Sequence, residues 1–132
     1  MFWDVGSCTG SIAIEAKRQK PELKVIAFEK RSECKEIIEE NTKKFIAPGI
    51  DLLIGDFFEQ DLNTIPRPDV VFIGGHGNRL EELLNLLIEL APKAKLVTNA
   101  VLETSQETFK QVLKNKGYQI CLLYTSPSPR DA

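Results

Sequence analysis

The chain has 132 residues, of which 42% are hydrophobic, and a formal net charge of −2; that is enough for one core of ordinary size and too little for two. Lys and Arg are scattered among Asp and Glu, leaving no basic stripe to track a phosphate backbone, so nucleic acid is not an expected partner. No run approaches the roughly twenty apolar residues that span a bilayer, and three cysteines without a C-x-x-C pair, beside a single histidine, fit a reducing cytoplasm and cannot assemble a zinc site.

Short apolar runs bounded by turn signals occur at Phe2 to Val5, Lys24 to Phe28, Asp51 to Ile54, Asp69 to Ile73 and Lys95 to Ala100, and they read as buried parallel strands. Between them lie helical patterns. A first helix starts near Ser11, after Gly10. Cys34, Ile37, Ile38, Asn41 and Phe45 then fall at helical spacing, with Ser32 as the start signal and Pro48-Gly49 as the stop. Leu80, Leu83, Leu84, Leu87 and Ala91 repeat the pattern up to Pro92, and a weaker helix runs from about Glu103 to Lys116, ending at Gly117. Strict β-α alternation predicts an α/β fold: an open, Rossmann-like parallel sheet in order 3-2-1-4-5, with right-handed crossovers and helices on both faces. In such sheets a ligand lies beyond the carboxyl ends of the strands.

The first of those ends is the most informative. Asp4-Val5-Gly6-Ser7-Cys8-Thr9-Gly10 runs from a strand into a turn whose glycines can take positive φ, and the following helix aims free N–H groups at an anionic group. A G-x-G-x-x-G dinucleotide fingerprint fails, because from Gly6 its later glycines fall on Cys8 and Ser11. The pattern that remains, D-x-G-x-x-x-G, resembles the first motif of class I methyltransferases that use S-adenosyl-L-methionine, with Cys8 where that family usually has a third glycine. The resemblance assigns Asp4, Gly6, Ser7, Cys8, Thr9 and Gly10 to the cofactor.

Glu29 closes the second strand about twenty residues later, where a carboxylate can accept both hydrogen bonds of a ribose diol; the alternative is a solvated glutamate paired with Lys30 or Arg31. Taken with the first loop, the ribose is the favoured partner. Gly55-Asp56-Phe57 closes the third strand. By the same resemblance Asp56 accepts from the adenine amino group and Phe57 packs on the ring, while Glu59 three residues on makes a helix N-cap at Asp56 equally plausible. The fourth strand ends in Ile73-Gly74-Gly75-His76-Gly77-Asn78, with none of the Pro-Pro-aromatic turn that holds a flipped planar amine. The fifth leads into Asn99 and Glu103, for which backbone satisfaction and a helix first turn are the ordinary readings.

Phe2-Trp3-Asp4-Val5-Gly6, Gly10 to Ala16, Phe72-Ile73-Gly74-Gly75-His76-Gly77 and Asn99-Ala100-Val101 with Glu103-Thr104 together resemble the precorrin or cobalt-precorrin carbon-15 methyltransferases that also decarboxylate their substrate. The resemblance implies methyl transfer from S-adenosyl-L-methionine to a ring carbon of a corrin-precursor tetrapyrrole in cobalamin biosynthesis, with loss of carbon dioxide from an acetate. It places Gly74 beside the cofactor and Gly75, His76, Gly77 and Asn99 on the substrate. His76, the one side chain here that ordinarily titrates near neutrality, and Glu103 become candidate catalytic groups; the plain alternative for His76 is a structural loop residue.

Other class I methyltransferases, acting on RNA, protein or another small molecule, remain as alternatives, as does a fragment without activity. The string from Cys121 to Ala132 is similar to the conceptual translation of a sequencing adapter, the alternative being a Ser/Pro-rich terminal tail. The expectation is therefore a methyltransferase domain over residues 1–120, incomplete at both ends. Its parent is expected to be a homo-oligomer or fused to a second methyltransferase, and cytoplasmic.

Overall fold

A computed structural model describes residues 1–99 and 103–118. The elements are β1 (Phe2–Val5), α1 (Ser11–Gln19), β2 (Val25–Glu29), α2 (Cys34–Lys44), β3 (Ile50–Ile54), β4 (Val70–Ile73), α3 (Leu80–Leu90), β5 (Lys95–Thr98) and α4 (Glu103–Asn115). Two single 3₁₀ turns, Phe57–Glu59 and Leu62–Thr64, lie between β3 and β4. The strands form one parallel sheet in the order β3-β2-β1-β4-β5, as the alternation predicts. Ala100, Val101, Leu102, the Glu103 side chain and the segment 119–132 lie outside the described residues.

Strand alternation sorts the side chains into two layers. Val25 and Ala27 of β2 pack with Ala13 of α1, while Ile26 and Phe28 join Trp3, Val71, Ile73 and the α3 leucines 80, 83, 84 and 87 on the opposite face. Trp3, Phe28 and Phe57 meet edge to face, with ring centroids 4.9–6.1 Å apart. This is the larger core, and it lies directly under the carboxyl ends of β1 and β2.

The ends of α2 depart from the sequence reading. Ser32 does not cap it: residues 31–35 first make a turn, with Cys34 N–H donating to Arg31 O and Lys35 N–H to Ser32 O. The helix stops before Pro48 because Ile46 adopts φ 51, and the N–H groups of Ile46 and Ala47 close back on Lys43 O and Thr42 O. That is a Schellman stop with a β-branched residue where glycine is usual. Gly117, at φ 80, closes α4 by the same pair of bonds. β5 ends at Thr98, leaving Asn99 beyond the strand and exposed.

Candidate functional site

The loop after β1 is held by its own buried polar groups. Asp4 is 1% exposed; its Oδ2 accepts from the Ser7 hydroxyl at 2.8 Å, and the Ala13 backbone amide favours its charged form. Burial pushes the Asp4 carboxyl above the usual range, and nearby Glu29 adds to the rise; the Ser7 hydroxyl and the Ala13 amide offset only part of it. The N–H groups of Gly6 and Ser7 both donate to Phe28 O, tying the loop to β2. The loop turns through positive φ at Gly6 (77°), Cys8 (57°) and Gly10 (80°), so Cys8 takes the conformation that a glycine would adopt without strain.

Gly6 is dictated by packing as well as by φ. A Cβ there would stand 2.4 Å from Gly75 N and 2.7 Å from Gly75 Cα, so the loops after β1 and β4 cross with no room for a side chain. Gly74 meets the same crossing, its would-be Cβ 3.0 Å from Gly6 O. Gly75 is different, because a Cβ there would make only ordinary contact, 3.7 Å from Gly6 Cα.

Glu29, 4% exposed, accepts from Cys8 N–H at 2.7 Å on Oε1, and from Arg31 N–H at 2.9 Å and Arg31 Nε at 3.2 Å on Oε2. Burial alone would raise its pKa. The bonds from the Arg31 and Cys8 backbones and the Arg31 guanidinium outweigh that and hold the carboxyl below its ordinary value. The pairing with Arg31 considered above is therefore present. It coexists with a place on the cavity wall, and Oε1, which accepts a single bond, retains further acceptor capacity.

Asp56 behaves likewise: Oδ1 accepts from Phe58 N–H at 3.0 Å, capping the 3₁₀ turn. Phe57 turns into the aromatic core, whereas Phe58 is half-buried under the Arg79 guanidinium, which lies 3.6 Å from the ring centroid. His76 is half-buried, and its Nδ1 is buried without a protein partner.

These groups share one cavity of ≈ 400 Å³ at the carboxyl ends of β1 to β4, within the range of small-molecule sites. Gly6, Cys8, Glu29, Asp56, Phe57 and the run from Gly74 to Gly77 line it. Asp4, Ser7, Thr9, Gly10 and Asn99 do not. Asp4 and Ser7 lie beneath the loop, Thr9 O accepts from Asn41 Nδ2, and a Cβ at Gly10 would meet Ile38 of α2 at 3.1 Å. The wall also includes Phe58 and Arg79, which the sequence reading passes over. An aromatic pair after a strand-end aspartate was the available signal for Phe58; nothing in the local sequence connects Arg79 to a ring twenty-one residues earlier.

No helix among the described residues is long and apolar enough to cross a membrane. Against known proteins, a family model described as a precorrin methyltransferase domain matches residues 1–127. A cobalt-precorrin-6B C(15)-methyltransferase (decarboxylating) of Salmonella typhimurium is 36% identical over 101 residues, 76% of this chain and 51% of that protein. A precorrin-6Y C(5,15)-methyltransferase of Sinorhizobium is 34% identical over 102 residues, 76% of this chain and 24% of its own length. Among solved structures, a precorrin-6Y C5,15-methyltransferase of Geobacter metallireducens superposes with a TM-score of 0.80 at 33% identity, covering 89% of this chain and 62% of that one. The chain thus spans about half the length of the Salmonella relative. The shared sheet is that of class I methyltransferases, and the chain belongs to the precorrin methyltransferase family.

Proposed function

We propose that this chain binds S-adenosyl-L-methionine at the carboxyl ends of its strands and directs methylation of carbon 15 of a precorrin or cobalt-precorrin, coupled to decarboxylation of an acetate side chain. The observation that carries this reading is the convergence of Gly6, Cys8, Glu29, Asp56 and Gly74 to Gly77 on one cavity wall. The names of the Salmonella and Sinorhizobium relatives supply the substrate class, and the free thiols of Cys8 and Cys34 fit a cytoplasmic setting.

The residues present fit such a cofactor. Gly6 and Cys8 bring the loop after β1 onto the cavity wall, where Gly6 packs against Gly75 too closely for a side chain, and Glu29 is an ionised carboxylate already on the wall. In this reading Gly6, Cys8 and Gly74 hold the amino-acid end, Glu29 holds the ribose diol, and Asp56 with Phe57 holds the adenine. Asp4, Ser7, Thr9 and Gly10 hold the loop in shape. When bound, S-adenosyl-L-methionine supplies an electrophilic methyl group.

The chain's own contribution to the reaction is alignment and exclusion of water. The ring carbon is itself the nucleophile; it gives up its proton on methylation. Carbon dioxide leaves the acetate with its bonding pair retained by the conjugated ring, and a proton completes the product. Gly75 and Gly77 leave open the face on which the macrocycle approaches. His76 is the group within that face able to bind a substrate carboxylate or hold the moving proton.

Incubation with methyl-labelled S-adenosyl-L-methionine and cobalt-precorrin-6B, read by mass spectrometry, should show gain of one labelled methyl group and loss of one carboxyl. Gly75→Leu should block that turnover while leaving S-adenosylhomocysteine affinity unchanged. Normal turnover by Gly75→Leu would move the substrate elsewhere, and labelling of RNA or protein in place of the tetrapyrrole would reject the reading.

A further inference from the structure

One residue joins the loop after β3 to the turn after β4 at this cavity. Arg79 immediately precedes α3, with its side chain 43% exposed. Its guanidinium covers the Phe58 ring at 3.6 Å, its Nη1 stands 3.8 Å from Asp56 Oδ2, and its Nη2 donates to Glu82. Its main chain reaches the other way. Arg79 N–H donates to His76 O at 3.0 Å, closing a turn in which Gly77 and Asn78 both have positive φ.

The loop after β3 and the turn after β4 are therefore gripped by one residue, by side chain on one hand and main chain on the other. The link to Glu82 is an exposed i,i+3 pair, a type that contributes little. The stacked, planar contact with Phe58 is the specific one. It closes a triangle, because the Phe58 N–H caps Asp56 Oδ1 while Arg79 faces Oδ2. Three carboxylates, those of Asp56, Glu59 and Glu82, already act on the guanidinium. A cation so surrounded is a poor recruiter of a further substrate carboxylate and a good brace.

We infer that Arg79 is a positioning residue that couples the loop Asp56–Phe58 to the turn carrying His76, so that occupancy at the first is felt at the second. The inference rests on the cofactor reading above, in which the adenine lies at Asp56 and Phe57.

His76 is the one histidine of the chain, so imidazole resonances report that turn alone. Adenosine and S-adenosylhomocysteine are titrated into the wild-type chain, R79M and R79K, with affinity read by calorimetry and His76 by NMR. In the wild type, adenosine should displace the His76 signals. R79M should bind adenosine about tenfold more weakly and, at matched occupancy, leave those signals at their ligand-free positions. R79K, which keeps the charge and loses the planar stack, should fall between the two, with thermal midpoints alike in all three. Wild-type affinity in R79M, the same His76 displacement at matched occupancy, or adenosine binding to the wild type without moving His76 would each overturn the inference alone. Failure of the wild type to bind either ligand would overturn the cofactor reading and the inference with it.

Discussion

On the β1–β2 side of the cavity the carboxylates are engaged from within: Asp4, beneath the loop, by Ser7, and Glu29, on the wall, by Cys8 and Arg31. On the β4 rim, Gly74, Gly75, Gly77 and Asn78 are exposed, and His76 retains a buried Nδ1 without a protein partner. The first rim is organised before any ligand arrives, which suits a small ligand of constant shape and lowers the ordering cost of binding. The second is a short backbone ribbon with almost no side chains, which suits a bulky ligand positioned by space more than by many polar contacts. The two rims touch at Gly6 and Gly75, and there the contrast is sharpest.

The largest effect is expected at that crossing. Gly6→Ala places a methyl group 2.4 Å from Gly75 N at a residue with φ 77. Overpacking costs about 1–3 kcal/mol and the left-handed backbone roughly 1–2 kcal/mol more, so chemical denaturation should show a loss of about 3 kcal/mol. A variant of wild-type stability would mean that the loops do not cross this tightly.

Next comes Glu29→Gln, which exchanges a charged acceptor of three hydrogen bonds for an amide. At neutral pH the expected loss is about 1.5–3 kcal/mol. The pH dependence carries its own sign. The folded-state pKa of Glu29 lies below the ordinary 4.5, so the unfolded chain binds the proton more readily and the stabilisation is present above that value. It is lost as pH falls through the folded value. The gap between wild type and Glu29→Gln should therefore close on acidification. Asp4, raised by burial, has the opposite sign: between its ordinary 3.8 and its raised value, its contribution weakens as pH rises. A gap that widened below pH 4.5 would show that Glu29 is not held ionised by the loop.

The smallest effect is expected at Gly75→Ala. Its Cβ meets only Gly6 Cα, at an ordinary 3.7 Å, and surface-type substitutions of this kind stay within about 0.5 kcal/mol. Comparable losses in Gly6→Ala and Gly75→Ala would erase the asymmetry between the rims.

Much of this was legible from residue order. Short apolar runs bounded by turn signals locate all five strands and period-3.6 patterns most of the helices, because a strand covered on both faces is apolar throughout and a helix buries one stripe. The ends of α2 were not, since Ser32 is a good cap that the 31–35 turn leaves outside the helix, and Ile46 occupies a position that sequence alone would give to glycine. At the site, Gly6 and Glu29 stand where strand-end reasoning puts them. Asp4 lies under the loop, a distinction set by strand pleat and by Ser7 rather than by spacing. Arg79 was invisible because its meaning comes from a ring contributed by another crossover.

If Glu29 is the ribose acceptor of a cofactor site on the β1–β2 rim, cofactor affinity must depend on its carboxylate. Calorimetry of S-adenosylhomocysteine binding to the chain and to Glu29→Ala tests it most directly. Loss of charge-assisted hydrogen bonds worth about 1.5–3 kcal/mol each predicts at least roughly tenfold weaker binding in the variant; equal affinity in the two proteins would contradict the account.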